Sequence, residues 1–153
     1  PMGTISITKT IDAPKGAVFE AFTDLTKVAD RIPDIVKIEV LTDGPVGVGT
    51  KWLETRKMFG KEATEELEVT GFEPGRLFVA ECDGCGSHFK ASYGFSEQGG
   101  STRVDFTMET TPGGFFARLM GGLMTGTMKK CCEKDMDTLK GWIESRSTAA
   151  AGA

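Results

Sequence analysis

The feature that most constrains the fold is a series of short strand-like segments followed by one long helical segment. Glycine- and proline-rich turns interrupt the chain between residues 34 and 112 at roughly ten-residue intervals. Between these turns, apolar and polar residues alternate with the period of a strand that has one buried face. Regular strands joined by short turns form an antiparallel sheet. Another part of the chain must then cover the apolar face of this sheet.

Seven strands are predicted from this alternation. The first covers residues 4–11, where isoleucines alternate with hydroxyl-bearing residues. Two short helices follow it, one entered through Asp12-Ala13-Pro14 and one over residues 25–31 that Pro33 ends. The other six strands are predicted over residues 36–40, 49–59, 62–72, 77–82, 87–96 and 102–110.

One long helix is predicted over residues 114–145. Apolar side chains recur there at helical spacing from Phe116 to Ile143 and form a broad stripe. A curved antiparallel sheet that wraps this helix would bury the stripe, and such an arrangement is α+β by class. We therefore expect a single domain over residues 1–147, followed by a flexible tail of small residues over 148–153.

The charge balance and the hydropathy pattern argue against several functional classes. Eighteen Lys and Arg against 22 Asp and Glu give a net charge of −4, whereas a general nucleic-acid binder carries a basic excess. The longest uncharged stretch in the apolar part of the chain, residues 119–128, is far shorter than the roughly 18 residues of a membrane span. The start carries no signal segment, so we expect a cytoplasmic protein. The sequence leaves open whether two copies form a homodimer.

Four cysteines occur in two pairs. In the first pair, Asp83-Gly84 stands between Cys82 and Cys85 and is the preferred centre of a two-residue hairpin turn, across which the thiols would face each other. Cys131 and Cys132 lie about 100° apart on a helix, so they cannot easily point at one metal ion. We favour hairpin and core thiols with no metal and no cofactor, and the alternative is a redox pair or half a zinc site.

Several short motifs resemble those of a known superfamily. They are Ile11-Asp12-Ala13-Pro14, Val18-Phe19, Phe22-Thr23-Asp24, Gly47-Val48-Gly49-Thr50-Lys51-Trp52, Phe72-Glu73-Pro74-Gly75-Arg76-Leu77 and Gly99-Gly100-Ser101-Thr102-Arg103-Val104. Their order is similar to that in the START-like superfamily, also called SRPBCC, and above all in its polyketide cyclase/dehydrase and lipid-transport branch. The resemblance implies a helix-grip fold, in which a curved seven-stranded antiparallel sheet wraps around a long C-terminal helix.

The resemblance also implies a hydrophobic ligand cavity between the sheet and the long helix, without implying a reaction. Members of the superfamily include lipid carriers, hormone receptors and aromatase/cyclases, and analogy of fold does not choose among them. Two functions are therefore considered. The first is binding or transport of a small hydrophobic molecule, lipid-like or polycyclic. The second is a polyketide cyclase or dehydratase that uses the same cavity.

Candidate ligand-binding residues are those on the strand and helix faces that should point toward the cavity. Alternation places apolar side chains on one face of each strand, and the front half of the long helix supplies the opposite wall. The predicted set is Trp52, Glu54, Arg56, Phe89, Tyr93, Phe106, Phe116, Met120, Leu123 and Met124. The alternative interpretation is that most of these residues simply fill a core.

Glu54 and Arg56 are the most informative members of this set. They share a strand face with Trp52, and an unpaired charge in an apolar interior is costly. They are predicted to anchor a ligand's hydroxyl, carbonyl or carboxylate, and the alternative is a solvated pair at the sheet edge. Catalysis would need positioned acid and base groups, for which Tyr93 is a candidate. His88 alternates with the apolar residues and should point outward, which weakens the enzyme hypothesis.

The front half of the long helix is rich in glycine. Gly121, Gly122 and Gly126 each cost a helix roughly 0.5–1 kcal/mol relative to alanine. We predict a soft front segment that opens as a gate to the cavity, hinged on a firmer rear segment. The alternative is that the glycines let the helix pack closely on the sheet or on a partner chain.

Overall fold

The computed structural model describes residues 3–84 and 86–151, without the side chains of residues 116, 120–123 and 148–151. As the sequence predicts, two short helices follow the first strand and a long helix follows the last. The elements in chain order are β1 (Thr4–Ile11), α1 (Lys15–Thr23), α2 (Val28–Arg31), β2 (Ile35–Val40), β3 (Lys51–Met58), β4 (Lys61–Glu73), β5 (Leu77–Gly84), β6 (Ser87–Gln98), β7 (Ser101–Pro112) and α3 (Phe115–Ala151).

The seven strands form one antiparallel sheet in the order β1-β7-β6-β5-β4-β3-β2. Neighbours from β2 to β7 are consecutive in the sequence, whereas β1 pairs with β7 and so lies beside the last strand. The register of that pair runs from Thr4 opposite Glu109 to Ile11 opposite Thr102. The predicted seven-stranded antiparallel sheet is confirmed.

Ion pairs from strands far apart in the sheet reach the same helix. Lys9 of the edge strand β1 contacts Glu133 and Asp137 of α3 at 3.3 and 2.9 Å. Arg56 of β3, toward the other edge, contacts Asp135 of α3 at 2.7 Å. Strands lie about 4.8 Å apart, so the five spacings from β1 to β3 would span about 24 Å in a flat sheet, against a helix about 10–12 Å wide. The sheet therefore curves around α3, as the helix-grip fold requires.

The core lies where α1 and the rear half of α3 meet the inner face of the sheet. Phe19 of α1 packs edge to face on Phe95 of β6 and Phe72 of β4, with ring centroids 5.1 and 5.4 Å away. Complete burial of one large apolar side chain contributes about 1.5–3 kcal/mol, so this contact region fixes α3 on the sheet. From the described part of the helix, Met136, Leu139 and Ile143 are buried here.

The turn between β5 and β6 differs from the prediction. Strand β5 continues through Gly84, which pairs with Ser87, so the chain turns after Gly84 and not at Asp83-Gly84. Gly86 has a φ of +75°, a left-handed value that a two-residue hairpin turn requires. The predicted position of this turn is therefore wrong by two residues.

Gly84 lies in strand β5 and not in the turn. A Cβ at this position would lie 3.0 Å from the carboxyl carbon of Glu65, so glycine leaves room for the Glu65 side chain over β5. Cys82 consequently pairs with Phe89, and the prediction that Cys82 faces Cys85 across the turn is wrong. Cys85 itself lies outside the described residues. A shift of two residues leaves every side chain on its predicted face, because the strand period is two.

Two helix boundaries also differ from the prediction. Helix α2 covers only Val28–Arg31, because its first predicted residues form a turn in which Asp24 accepts hydrogen bonds from Thr26. Helix α3 continues to Ala151, six residues beyond its predicted end at residue 145, so the predicted tail begins inside the helix. Across the described ranges, no helix is long and apolar enough to cross a membrane.

Candidate functional site

Strand β3 carries three of the predicted site residues on its inner face. Trp52 is only 3% exposed, and its ring stacks on Phe78 of β5 with the centroids 6.5 Å apart. Since strand side chains alternate, Glu54 and Arg56 lie on the same face as Trp52. The structure thus places the two charged residues inside the curve of the sheet. Both side chains keep part of their exposure, 17% for Glu54 and 25% for Arg56, and Arg56 also contacts the long helix.

Arg56 is the centre of a charged cluster that joins the sheet to α3. Its Nε and Nη2 groups donate to Oε2 of Glu54 at 3.3 and 3.2 Å, and its Nη1 donates to Oδ2 of Asp135 at 2.7 Å. Trp52 contributes a longer contact, in which its indole Nε1 donates to Oε1 of Glu54 at 3.4 Å. A guanidinium held by two carboxylates is a well-ordered arrangement, and it fixes the polar wall of the site.

Burial and charge act in opposite directions on the pKa values of this cluster. Burial alone would lower the pKa of Arg56, but the neighbouring Asp135 and Glu54 carboxylates outweigh it and raise that pKa. Burial raises the pKa of Asp135 above its ordinary value, although Arg56 opposes the shift. Arg56 therefore stays charged, and Asp135 holds a proton more readily than an exposed aspartate does.

Tyr93 and Cys132 lie beside the charged cluster and remain protonated. Burial, with the nearby Cys132, Asp135 and Glu54, raises the pKa of Tyr93 above its ordinary value. Burial and Asp135 raise the pKa of Cys132 to about 12. Tyr93 packs its ring on Phe106 at a centroid distance of 4.8 Å, with Phe22 and Phe78 also in contact. The site thus combines neutral hydrogen-bond donors with an aromatic wall.

Burial decreases along the inner face of the sheet. Toward α1 the inward-facing side chains are fully packed, including Phe95 and Val104. Toward the β5–β6 turn, residues on the same faces are only partly buried, among them Leu67, Phe89, Ala91, Tyr93 and Met108. These apolar side chains face inward and yet remain partly exposed, unlike the packed side chains toward α1.

The front half of α3 lies over this end of the sheet. Met128 and Cys132 are partly buried and pack against the core. Farther forward, Met124 is 46% exposed, and Leu119 and Phe115 are 64% and 81% exposed. The side chains of Phe116, Met120 and Leu123 lie outside the described residues, so their predicted place in the cavity wall stays a prediction.

Sequence reasoning missed Asp135 and Glu65. Asp135 follows Cys131 and Cys132 by four and three residues and precedes Leu139 by four, so it lies within the apolar stripe of the helix. A carboxylate in that stripe, with an inward arginine on the sheet, is the signal that could have paired it with Arg56. Glu65 lies directly opposite Glu54 in the β3–β4 register, and it could have been found from the hairpin turn at residues 59–60.

His88 lies on the outer face of the sheet, as predicted. Its Nδ1 and Nε2 atoms contact carboxylate oxygens of Asp83 and Glu81, each at 2.8 Å, and its side chain is 43% exposed. These two carboxylates, Glu81 first, raise the pKa of His88. Within residues 3–84 and 86–151, no group of three or more His, Cys, Asp or Glu side chains is placed to hold a metal ion.

Two surface pockets lie away from this site. One, of about 370 Å³, is formed by α1, α2 and the rear of α3, and Arg31 and Arg146 flank Trp142 in it at 4.0 and 4.5 Å from the ring centroid. The other lies along an outer face of α3, between Lys130 and Thr138. Neither pocket is lined by a predicted ligand-binding residue.

Known families and structures are similar to this chain over most of its length. A family model described as polyketide cyclase/dehydrase and lipid transport matches residues 2–144. No curated protein sequence matches. Among solved structures, the Zhui aromatase/cyclase from Streptomyces sp. R1128 is similar with a TM-score of 0.82, 19% identity and coverage of 98% of both chains.

Two other solved structures are also similar to this chain over most of its length. Ara h 8.0201 has a TM-score of 0.76 and 16% identity, over 93% of this chain and 97% of its own. A point mutant of norcoclaurine synthase from Thalictrum flavum, in complex with a transition-state analogue, has a TM-score of 0.73 and 15% identity, over 94% and 95% of the two chains. At these identities the likenesses show the fold, and they confirm the helix-grip architecture.

Proposed function

Since the chain belongs to the polyketide cyclase/dehydrase and lipid transport family, we propose that it binds a small hydrophobic molecule between the inner face of the sheet and the front half of α3. The molecule is lipid-like or polycyclic. The observation that carries the proposal is the set of apolar side chains that face inward at this end of the sheet and yet remain partly exposed, represented by Phe89, Ala91 and Met108.

The chemistry of the wall suits a mostly apolar ligand with one polar end. Phe89 and Tyr93, which are only partly buried, offer ring faces and edges to a flat or branched hydrocarbon, and such contacts stabilise aromatic ligands. Arg56, Glu54 and Asp135 lie at the β3 side of the same space and are already ordered by their mutual bonds. A ligand that reaches them exchanges water for an organised polar group, which fixes its orientation.

A cyclase or dehydratase is the second candidate function. Loss of water from a hydroxylated substrate needs a proton donor for the departing hydroxyl and an acceptor for the proton removed from carbon. Tyr93 carries a protonated hydroxyl that can donate, and the Glu54 carboxylate is placed to accept. The absorbance of an enone formed from an apolar β-hydroxy ketone would reveal such turnover, and its absence with retained binding would favour the carrier.

The test of binding uses a bulky side chain placed in the proposed space. N-phenyl-1-naphthylamine is apolar and fluoresces when it leaves water, so the wild-type protein should show one saturable site. Ala91→Trp places an indole on the inner face and should weaken binding by at least about tenfold, since overpacking excludes the ligand. Ser92→Trp, one residue along the same strand and on the outer face, is the matched control and should bind as the wild type does.

Circular dichroism and thermal unfolding of both variants establish that they fold. If Ala91→Trp does not fold, Ala91→Leu adds less volume and is measured in its place. A folded inner-face variant that binds the probe as tightly as the wild type would overturn the proposed location of the ligand. Failure of the wild-type protein to bind the probe would overturn the binding function itself.

A further inference from the structure

The partly buried charges on the inner face of β3 and β4, taken together with Asp135 of α3, are more negative than positive. Glu54 and Asp135 both contact Arg56, so one guanidinium is shared between two carboxylates. Glu65 adds a third carboxylate, because it stands directly opposite Glu54 in the antiparallel register and therefore on the same face. Its carboxyl lies over Gly84, at the same end of the sheet. These four groups sum to an excess of negative charge.

The available donors of Arg56 are largely committed to the protein. Three N–H···O contacts, from Nε, Nη1 and Nη2, bind its guanidinium to Glu54 and Asp135. A ligand carboxylate that sought the same guanidinium would meet two carboxylates already in place. Like charges brought together in a partly buried site repel each other more strongly than they do in water.

Other cations near the site do not reverse this balance. Lys61 lies on the inner face of β4 but at the exposed tip of the β3–β4 hairpin. Lys134 is exposed and contacts Asp34 at 3.0 Å. Solvent screens exposed charges, so neither lysine offsets the partly buried carboxylates. Tyr93 and Cys132 are neutral and add donors but no positive charge.

We propose that the polar end of the bound molecule is a hydrogen-bond donor or a cation, such as a hydroxyl or an ammonium group, and not a carboxylate. This inference rests on the proposed binding function and narrows its ligand class. The free oxygen lone pairs of Glu54, Glu65 and Asp135 accept hydrogen bonds from such a group, which also relieves their mutual repulsion. An apolar acid would instead bring a further negative charge into the cluster.

The experiment compares three naphthalenes that differ only in the polar group. The probes are 2-naphthylmethylammonium, 2-naphthylmethanol and 2-naphthoate, and affinities are measured by displacement of N-phenyl-1-naphthylamine at neutral pH. The ammonium probe should bind at least about tenfold more tightly than the carboxylate, with the alcohol between them. Glu54→Gln keeps an acceptor for Arg56 and should reduce the difference in affinity between the ammonium and carboxylate probes to about threefold or less. Asp135→Asn should reduce this difference in the same direction.

The control separates the site from the overall charge of the chain. Glu39→Gln makes the same charge change on an exposed residue of the outer face of β2, and it should leave the preference unchanged. Equal affinities for the three probes, or tightest binding of the carboxylate, would overturn the inferred ligand class while the binding function stands. Failure of both the neutral dye and all three naphthalenes to bind would overturn the proposed function, and the inference with it.

Discussion

Replacing Arg56 with methionine is the perturbation that best tests the structural argument. Methionine keeps much of the length of the arginine stem but removes the guanidinium that holds Glu54 and Asp135. Two carboxylates then face each other in a partly buried site without their shared counter-charge. The variant should lose stability at neutral pH, since an uncompensated buried charge is among the strongest causes of destabilisation.

The size of the loss follows from the burial of the cluster. Removing one partner of a fully buried ion pair costs about 3–5 kcal/mol. The side chains of Glu54, Asp135 and Arg56 retain 17%, 20% and 25% of their exposure, so solvent relieves part of the cost. We expect a decrease of about 2–3 kcal/mol in the free energy of unfolding. With a urea m-value of about 2 kcal/mol/M, the unfolding midpoint falls by about 1–1.5 M.

The loss should shrink as the pH is lowered. Burial already raises the pKa of Asp135 above 3.8, and without Arg56 the opposing effect disappears, so the pKa rises further. A carboxyl with a raised folded-state pKa favours folding while it is protonated, and that stability is lost as the pH rises from about 4 through the folded-state value. The difference between variant and wild type should therefore be larger at pH 7 than at pH 4.

Urea unfolding followed by tryptophan fluorescence at both pH values measures these differences. Arg103→Met is the matched control, because Arg103 pairs with Asp105 on the exposed face of β7, where the two side chains are 50% and 47% exposed. Its removal should cost less than about 1 kcal/mol. A loss at Arg56 no greater than at Arg103, or one that does not shrink at low pH, would refute the account of the charged cluster.

Two further predictions concern α3 and the outer face. A Cβ at Gly126 or Gly141 meets no atom within 4 Å, so alanine at either should stabilise the protein by about 0.5–1 kcal/mol, measured by urea unfolding. If the front half of α3 opens as a gate, only Gly126→Ala should slow the binding and release of N-phenyl-1-naphthylamine in stopped-flow fluorescence. Equal rates in both variants would contradict the predicted gate. The histidine NMR titration should give His88 a midpoint above 6.5 that Glu81→Gln lowers. The stability from this contact is complete below pH 6.5 and lost as the pH rises through the folded-state pKa, and an unchanged midpoint would contradict the contact.

Much of the fold could be predicted because strand and helix periods are local properties of the sequence. The alternation of apolar and polar residues correctly predicted the bounds of β1. It also predicted that Glu54 and Arg56 lie on the inner face of β3. The position of the turn between β5 and β6 could not be predicted in the same way. Asp83-Gly84 has the stronger turn propensity, but the close approach of Glu65 to Gly84 belongs to strand pairing and is a tertiary property.

The partners of the site residues were harder to predict than the residues themselves. Asp135 and Arg56 are 79 positions apart in the sequence. The distance between the Asp135 carboxylate and the Arg56 guanidinium depends on how far the sheet curves around α3. The alternation in β3 shows that Arg56 points inward, but it carries no information about which turn of the helix stands opposite. The role of Glu65 depended in the same way on the β3–β4 register.

Intermolecular NOEs from a bound apolar molecule to methionine methyl groups test the central claim most directly. In protein labelled with [13C-methyl]methionine and saturated with N-phenyl-1-naphthylamine, we predict NOEs to Met108 of β7 and Met128 of α3, which face the proposed space from opposite sides. Met58, exposed beside the β3–β4 turn, serves as the internal control and should give none. Absence of NOEs to Met108 and Met128, with contacts confined to the Trp142 surface pocket, would contradict a ligand held between the sheet and the helix.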